Sequence, residues 1–131
     1  MIKKIFYCSL FGRFFLGRFM KAPAIFKKNG KYYLMASGCT GWEPNKARAA
    51  VADSILGQWK ELGNPCIGPD ADQTFHSQST YILPVQGKKD TFIYMGDRWS
   101  PENAIDGRYI WLPIRFEGEK FIIEWKDKWE L

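Results

Sequence analysis

The pattern of apolar and polar residues predicts short β-strands along most of the chain. The clearest signal is Asn29-Gly30, which stands between two apolar-rich runs. Both central residues of a two-residue hairpin turn need a positive φ, and Asn-Gly adopts that conformation at little cost. We therefore expect a hairpin with strands at 22–26 and 31–37. A Gly-rich loop at 38–42 follows it and ends in the indole of Trp42, a ring that suits a flat, polar ligand.

The remaining segments predict a second set of strands. Residues 46–53 contain good helix formers, but Pro44 before them and a turn after them favour a strand. Segment 63–69 holds two Gly and two Pro and is expected to be a loop, as is segment 96–107. Further strands are expected at 58–61, 76–85, 91–95, 108–113 and 120–125.

These strands form two successive cycles of about four strands each, and the two cycles have similar sequences. Lys31-Tyr32-Tyr33-Leu34 matches Thr91-Phe92-Ile93-Tyr94 at an offset near 60 residues. Repeated four-stranded antiparallel units are typical of β-propeller blades, and a propeller closes with about four blades or more. The chain is therefore expected to be all-β, either assembling with something else or forming a piece of a longer protein.

The net charge of +5 is confined to one end of the chain. Residues 1–21 carry five basic and no acidic side chains, and the remainder is neutral. A nucleic-acid partner is not expected, because the basic residues do not spread over a binding face. Residues 1–20 are too short and too charged to span a membrane. They read as a degenerate export signal, a strand-forming lead-in or a ragged start.

Aromatic residues make up 17% of the chain, which is typical of β-rich proteins. Most rings are expected in the core and a few against a ligand. The three cysteines, Cys8, Cys39 and Cys66, lack metal-binding spacing. Two states are open for Cys39 and Cys66, a disulfide between them or a reduced, buried pair.

The residue types present in the chain limit the kinds of catalytic site that it can form. His76 is the single histidine of the chain, which excludes a multi-histidine metal site, and no Gly-x-Ser-x-Gly motif surrounds Ser77. Glycosidic bonds are usually hydrolysed by two carboxyl groups. The candidates are loop residues near one end, namely Glu43, Asp97, Glu102 and Asp106. Asp97-Arg98-Trp99 places an acid, a fork of donors and a flat ring together, although an exposed ion-paired loop is an equal alternative.

Six ordered blocks of residues resemble glycoside hydrolase family 43, in particular its exo-β-1,3-galactanase branch. The similarity covers about 18–125 of the chain. The blocks are Ala22-Pro23-Ala24-Ile25-Phe26-Lys27, Asn29-Gly30-Lys31-Tyr32-Tyr33-Leu34, Ser37-Gly38-Cys39-Thr40-Gly41-Trp42, Val51-Ala52-Asp53-Ser54, Phe75-His76-Ser77-Gln78-Ser79-Thr80 and Gly96-Asp97-Arg98-Trp99.

This resemblance implies part of a five-bladed β-propeller, with about two blades and an N-terminal strand segment. Residues 21–131 would be the C-terminal half of that domain, and 1–20 a lead-in. The implied activity is hydrolysis of terminal β-galactosyl or related units of plant polysaccharides, in an extracellular or periplasmic setting. The implied partner is a β-galactan-like oligosaccharide, with neither nucleic acid nor membrane. No cofactor is implied, although the family fold allows a calcium ion at the propeller centre near His76.

The resemblance also assigns site residues. Lys21 stands where the family has the general-acid glutamate, and Gln78 stands where a glutamine positions water. Sugar contacts carry over to Trp42, Asn45, His76, Asp97, Arg98 and Trp99, with core packing as the alternative for Trp42. A lysine ammonium is too weak an acid for this step at neutral pH and opposes a developing oxocarbenium ion. Weak or no activity is therefore expected from the chain alone. The alternative function is a non-catalytic carbohydrate-binding domain, or one that self-associates through open propeller edges.

Overall fold

A computed structural model describes residues 20–131, and this part of the chain is almost entirely β-structure. The strands are β1 (Met20–Lys28), β2 (Lys31–Gly38), β3 (Arg48–Ala52), β4 (Lys60–Gly63), β5 (Cys66–Ile67), β6 (Gln78–Pro84), β7 (Phe92–Arg98), β8 (Arg108–Glu117) and β9 (Lys120–Glu124). Two short 3-10 segments, Ala71–His76 and Ala104–Asp106, lie between strands. The lead-in expected at 1–20 lies outside the described residues, apart from Met20.

The predicted hairpin is present. Asn29 has φ 50° and Gly30 has φ 80°, as a turn with two left-handed central residues requires. Lys28 pairs with Lys31 across the turn, and the antiparallel register continues to Met20 opposite Gly38. The register shifts between Lys21 and Ala24, and Ala22 within this bulge has φ 51°. A bulge bends a strand and re-aims its side chains, here directly beside Lys21.

The strands form two sheets, which we call the first and second blades. The first blade is β1 to β4 in sequence order, all antiparallel, and it includes β3, the strand predicted within 46–53. The second blade has the order β5-β9-β8-β7-β6. The two predicted cycles therefore exist as two sheets. The second is larger than expected because β5 joins it, parallel to β9.

Three sequence predictions are corrected by the second blade. Segment 63–69 is not wholly a loop, since Ile123 N–H donates to the Pro65 carbonyl at 2.9 Å and draws the segment onto β9. The strand expected from 76 begins at Gln78, because Thr74, Phe75 and His76 all have φ between 52° and 57°. The strand expected to end at Pro113 continues beyond it. Pro113 is tolerated within β8 because β9 pairs only with 114–117, so β7 is the one strand beside Pro113.

The two blades pack face to face through an aromatic core. Phe26 of the first blade lies 5.0 Å from Phe92 and 5.4 Å from Phe121 of the second, between ring centres. Tyr33 meets Phe116 edge-on at 5.6 Å. Buried aromatic rings remove large apolar areas from water and dominate core energetics. This core fixes the relative position of the two blades.

The cysteines differ from both expectations. Cys39 is disulfide-bonded, whereas Cys66 is a free, buried thiol. A Cys39–Cys66 disulfide is therefore wrong, and so is a pair in which both are reduced. Burial raises the pKa of the Cys66 thiol to about 12, which keeps it protonated and unreactive. Within 20–131 no helix has the length and apolar character needed to cross a membrane.

Candidate functional site

One end of the molecule brings both blades together around a cleft of about 420 Å³. Here β1 begins, β2 ends, β6 begins and β7 ends, so the register places Lys21 opposite Ser37 and Gln78 opposite Asp97. We call this cavity the aromatic cleft. Its lining includes Trp42, Asp97, Arg98, Trp99, Arg108 and Tyr109.

Trp42 and Trp99 form the aromatic wall of the cleft. Their rings meet edge-to-face, with centres 5.8 Å apart and planes at 68°. The Trp99 indole N–H donates to the Trp42 main-chain carbonyl at 3.0 Å. Trp42 is 69% exposed, so core packing is wrong for this residue. An exposed indole held by a second one offers a rigid apolar face to a ligand.

Lys21 reaches the same wall from the first blade. Its ammonium donates to the Gly41 carbonyl and lies 5.9 Å from the centre of the Trp99 ring. The bulge at Ala22, directly after Lys21, is held by a hydrogen bond from the Ser79 hydroxyl to the Ala22 carbonyl. The ammonium therefore occupies a defined position at the rim of the aromatic cleft.

Gln78 begins β6 of the second blade and hydrogen-bonds to the first blade. Its amide nitrogen donates to the Ser37 hydroxyl at 3.2 Å, and Ser37 is the register partner of Lys21. Ser37 is buried, so this hydrogen bond fixes where the Gln78 amide points. Ser37 thus links the two residues that the resemblance assigns to catalysis, Gln78 by a hydrogen bond and Lys21 by strand register alone.

Asp97 and Arg98 lie at the end of β7, not in a loop as predicted, because β7 continues past Met95. Arg98 is anchored on its far side, where its Nε–H donates to the Phe75 carbonyl at 2.9 Å and its guanidinium lies 5.1 Å from the Trp125 ring. Asp97 is the carboxylate that lines the aromatic cleft, among the residues that the structure describes. The exposed ion-paired loop that was the alternative is not what the chain forms here.

Asn45 is committed to the loop beneath Trp42. Its carbonyl oxygen accepts from the Gly38 N–H at 2.7 Å, and its amide nitrogen donates to the Gly38 carbonyl and to the Thr40 hydroxyl. The Thr74 hydroxyl donates to the Asn45 main-chain carbonyl at 2.7 Å. Asn45 therefore braces the loop, and its contact with a sugar stays a prediction.

His76 does not line the aromatic cleft. It ends the left-handed turn, its side chain is half exposed, and its Nε2 lies 3.2 Å from the Asp70 carboxylate. Calcium takes six to eight oxygen ligands. Residues 20–131 contain no group of three or more acidic, cysteine or histidine side chains arranged for a metal. A calcium ion near His76 and the sugar contact of His76 both stay predictions.

Tyr94 and Ser77 form a buried pair of hydroxyl groups near the site. The Tyr94 and Ser77 hydroxyls lie 2.8 Å apart, and the Ser77 hydroxyl also donates to the Thr74 carbonyl at 2.6 Å. Burial raises the pKa of Tyr94 well above its usual value, so it stays neutral. The pair holds the strained turn against β7.

Tyr109 is one of the cleft residues that the sequence did not predict. It stands at the start of β8, opposite Asp97, and is largely exposed. The signal for it was available in the alternation along β8, where Ile110 and Leu112 are buried and Tyr109 and Trp111 face outward. The other candidate carboxylates, Glu43, Glu102 and Asp106, are exposed and do not line the cleft.

Comparison with known proteins gives a consistent match to solved structures. Neither a protein-family model nor a curated protein matches the chain. A family 43 β-1,3-galactosidase, solved with galactodeoxynojirimycin, is 55% identical with a TM-score of 0.81, over 86% of this chain and 32% of that one. A second β-1,3-galactosidase of the family is 41% identical with a TM-score of 0.84, over 88% of this chain and 24% of that one.

An exo-β-1,3-galactanase from Phanerochaete chrysosporium, solved with β-1,3-galactotriose, is 36% identical with a TM-score of 0.70, over 79% of this chain and 23% of that one. The chain thus spans about a third or less of the length of these structures. Its two packed, mostly antiparallel sheets agree with blades of their fold. The chain is therefore a part-length relative of the glycoside hydrolase family 43 β-1,3-galactosidases and exo-β-1,3-galactanases, with the fold of a partial β-propeller.

Proposed function

We propose that the aromatic cleft binds a terminal β-galactosyl unit and forms part of a glycoside hydrolase active site. The observation that carries this proposal is the convergence of the Trp42–Trp99 wall with Lys21, Asp97 and Arg98 at one end of both blades. Ligand sites are mostly apolar with a few placed polar groups that fix orientation. The relatives named above, two of them solved with a galactose mimic or a galactan trisaccharide, support galactose as the sugar.

Binding is tested by titrating the chain with β-1,3-galactobiose and following tryptophan fluorescence. Trp99→Ala is expected to abolish the fluorescence change, because it removes half of the aromatic wall. Trp111→Ala is the matched control, since Trp111 is an exposed indole on β8 outside the cleft lining. Equal loss in both variants, or retained binding in Trp99→Ala, would contradict the proposal.

We further propose that Lys21 removes the acid step of hydrolysis in this chain. Protonation of the leaving oxygen needs a carboxylic acid whose pKa is tuned near the working pH. Lys21 supplies an ammonium in place of that carboxylic acid, and its positive charge disfavours the oxocarbenium-like transition state. Its contact with Gly41 and Trp99 supports the placement at the sugar-binding rim.

A chimera tests this proposal, with residues 21–131 replacing the corresponding segment of the 55%-identical β-1,3-galactosidase. Little galactose release from β-1,3-galactobiose is expected with Lys21. Lys21→Glu should raise the rate by about 10²-fold or more, the usual contribution of general acid catalysis. Lys27→Glu, on the same strand but outside the cleft, is the control. A chimera that is fast with Lys21 and unchanged by Lys21→Glu would show that the acid lies elsewhere.

A non-catalytic, self-associating domain is the second candidate, and one surface favours it. Tyr81, Met95 and Trp111 stand side by side across β6, β7 and β8 on the outer face of the second blade. Tyr81 and Trp111 are both about half exposed. Exposed aromatic rows commonly mark association surfaces. A monodisperse oligomer in light scattering that dissociates in Trp111→Ser would support this candidate, and a monomer would count against it.

A further inference from the structure

The charges at the rim of the aromatic cleft point to the class of sugar that it prefers. Resting on the proposed binding of a β-galactosyl unit, we infer that the cleft selects galactosyl sugars carrying an anionic substituent, a carboxylate or a sulfate ester, and that Lys21 is the residue that recognises it. The specificity would thus differ from that of a site built for a neutral galactan.

Lys21 has hydrogen-bonding capacity that the described structure leaves for a ligand. An ammonium carries three N–H donors, and one of them is used on the Gly41 carbonyl. No carboxylate within 20–131 forms an ion pair with Lys21, and residues 1–19 contain neither Asp nor Glu. A half-buried cation without a counter-ion beside an aromatic wall favours an anion supplied from outside.

The other charges at the cleft do not cancel this preference. Arg98 and Arg108 line the cleft together with the carboxylate of Asp97. Arg108 is already paired with Asp106, and the Arg98 guanidinium is anchored on Phe75 and Trp125, away from Lys21. Lys21, Arg98 and Arg108 are thus set against Asp97 in the cleft lining and Asp106 outside it. Of the three cations, Lys21 is the one that is neither ion-paired nor anchored away from the wall, among the residues that the structure describes.

The rival explanation is that Lys21 only closes the loop through Gly41. In that case the loop would be held equally well for neutral and anionic sugars, and binding would not depend on the charge of the ligand. A charge-assisted hydrogen bond contributes more than a neutral one, on the scale of a tenfold change in affinity. The two explanations therefore differ in a ratio of affinities, and not in stability.

The experiment uses three disaccharides that differ only at C6 of the non-reducing sugar. They are β-1,3-galactobiose, its galacturonosyl counterpart and its 6-sulfate, each titrated calorimetrically into the whole chain. We expect one or both anionic sugars to bind about tenfold tighter than galactobiose. The anionic sugar that binds more tightly than galactobiose identifies the recognised group as a carboxylate or a sulfate. High salt should shrink the ratio, because it screens an accessible ion pair.

Variants assign the preference to Lys21. Lys21→Gln should bring the anionic-to-neutral ratio close to one, Lys21→Arg should retain it, and the matched control Lys27→Gln should leave it unchanged. Equal affinity for all three sugars in the unaltered chain, or a preference that persists in Lys21→Gln, would overturn the inference while leaving the proposed function intact. Failure to bind any of the three sugars would instead overturn the proposed function.

Discussion

The indole N–H of Trp99 donates a hydrogen bond to the main-chain carbonyl of Trp42 at 3.0 Å. Trp42 belongs to a loop of the first blade, and Trp99 directly follows β7 of the second. This bond therefore joins the blades at the cleft and holds one indole edge-on to the other. The aromatic wall is a feature of the pair of blades and of neither blade alone.

The first prediction concerns this hydrogen bond. Trp99→Phe keeps an aromatic ring but removes the N–H, so the Trp42 loop should loosen and galactobiose should bind about 2- to 10-fold more weakly, as expected for one hydrogen bond. Trp129→Phe is the control, since its indole also donates to a main-chain carbonyl, that of Trp111, outside the cleft. Identical affinities in Trp99→Phe and the unaltered chain would show that the bond does not shape the site.

A second prediction concerns the buried hydroxyl pair of Tyr94 and Ser77. A methyl group added at Gly96 would lie 2.8 Å from Tyr94 Cζ and 2.9 Å from the Ser77 hydroxyl oxygen, closer than packed atoms tolerate. Gly96→Ala should lower the free energy of unfolding by about 1–3 kcal/mol, as overpacking does. Gly107→Ala, whose nearest neighbour is 3.4 Å away, should change it little. Urea denaturation measures both, and an unaffected Gly96→Ala would show that the pair can move aside.

The third prediction concerns pH and the ionic link between blades. The Glu119 carboxylate lies 2.9 Å from Lys31 and 3.0 Å from Lys60. These hydrogen bonds, that of Lys31 first, lower the pKa of Glu119. A carboxylate whose pKa is lowered by folding stabilises the protein at a pH above its unfolded-state pKa. This stabilisation is lost as the pH falls through the folded-state pKa.

Glu119→Gln should therefore reduce stability at pH 7 and have little effect at pH 3 or in high salt. The pKa of its partner, Lys31, is shifted in the opposite direction. The hydrogen bonds that Lys31 donates to Asp53 and then to Glu119 raise the pKa of Lys31, so the contribution of Lys31 is lost only as the pH rises into the strongly alkaline range. Glu130→Gln, in the C-terminal tail, is the control. A pH-independent effect of Glu119→Gln on the urea midpoint would contradict the electrostatic account.

The fourth prediction concerns the left-handed turn. His76 has φ 57°, a region that costs an L-residue about 1 kcal/mol or more and a glycine almost nothing. His76→Gly should therefore match or exceed the unaltered chain in stability, by up to about 1 kcal/mol. Gln73→Gly, in the same turn at φ −114°, should destabilise it. If His76 also contacts the sugar as predicted, His76→Gly will weaken binding while stability holds.

Local signals predicted much of the framework. Asn29-Gly30 identified the hairpin because the turn geometry depends on those two residues alone. The choice of a strand over 46–53 was right despite helix-forming residues. Ala49, Ala50, Val51 and Ala52 are all buried between β2 and β4, and this tertiary packing overrides intrinsic propensity.

Features that depend on contacts distant in sequence could not be predicted. β5 exists because Pro65 and Ile67 bond to β9, nearly 60 residues away. The turn at 74–76 is held by the Thr74–Asn45 and Arg98–Phe75 hydrogen bonds. In the site, the resemblance named Trp42, Trp99 and Lys21, but their meeting across two blades is visible only in three dimensions.

The central claim is that a galactosyl sugar rests on the Trp42–Trp99 wall, and the six tryptophans of the chain allow a direct test. Each indole N–H gives its own signal in a ¹H–¹⁵N correlation spectrum, and a 15.2 kDa chain is well suited to the method. Titration with β-1,3-galactobiose should shift the Trp42 and Trp99 indole signals together and leave those of Trp59, Trp111 and Trp129 in place. Shifts centred on Trp111 and Trp129, or none at any indole at saturating sugar, would contradict the account.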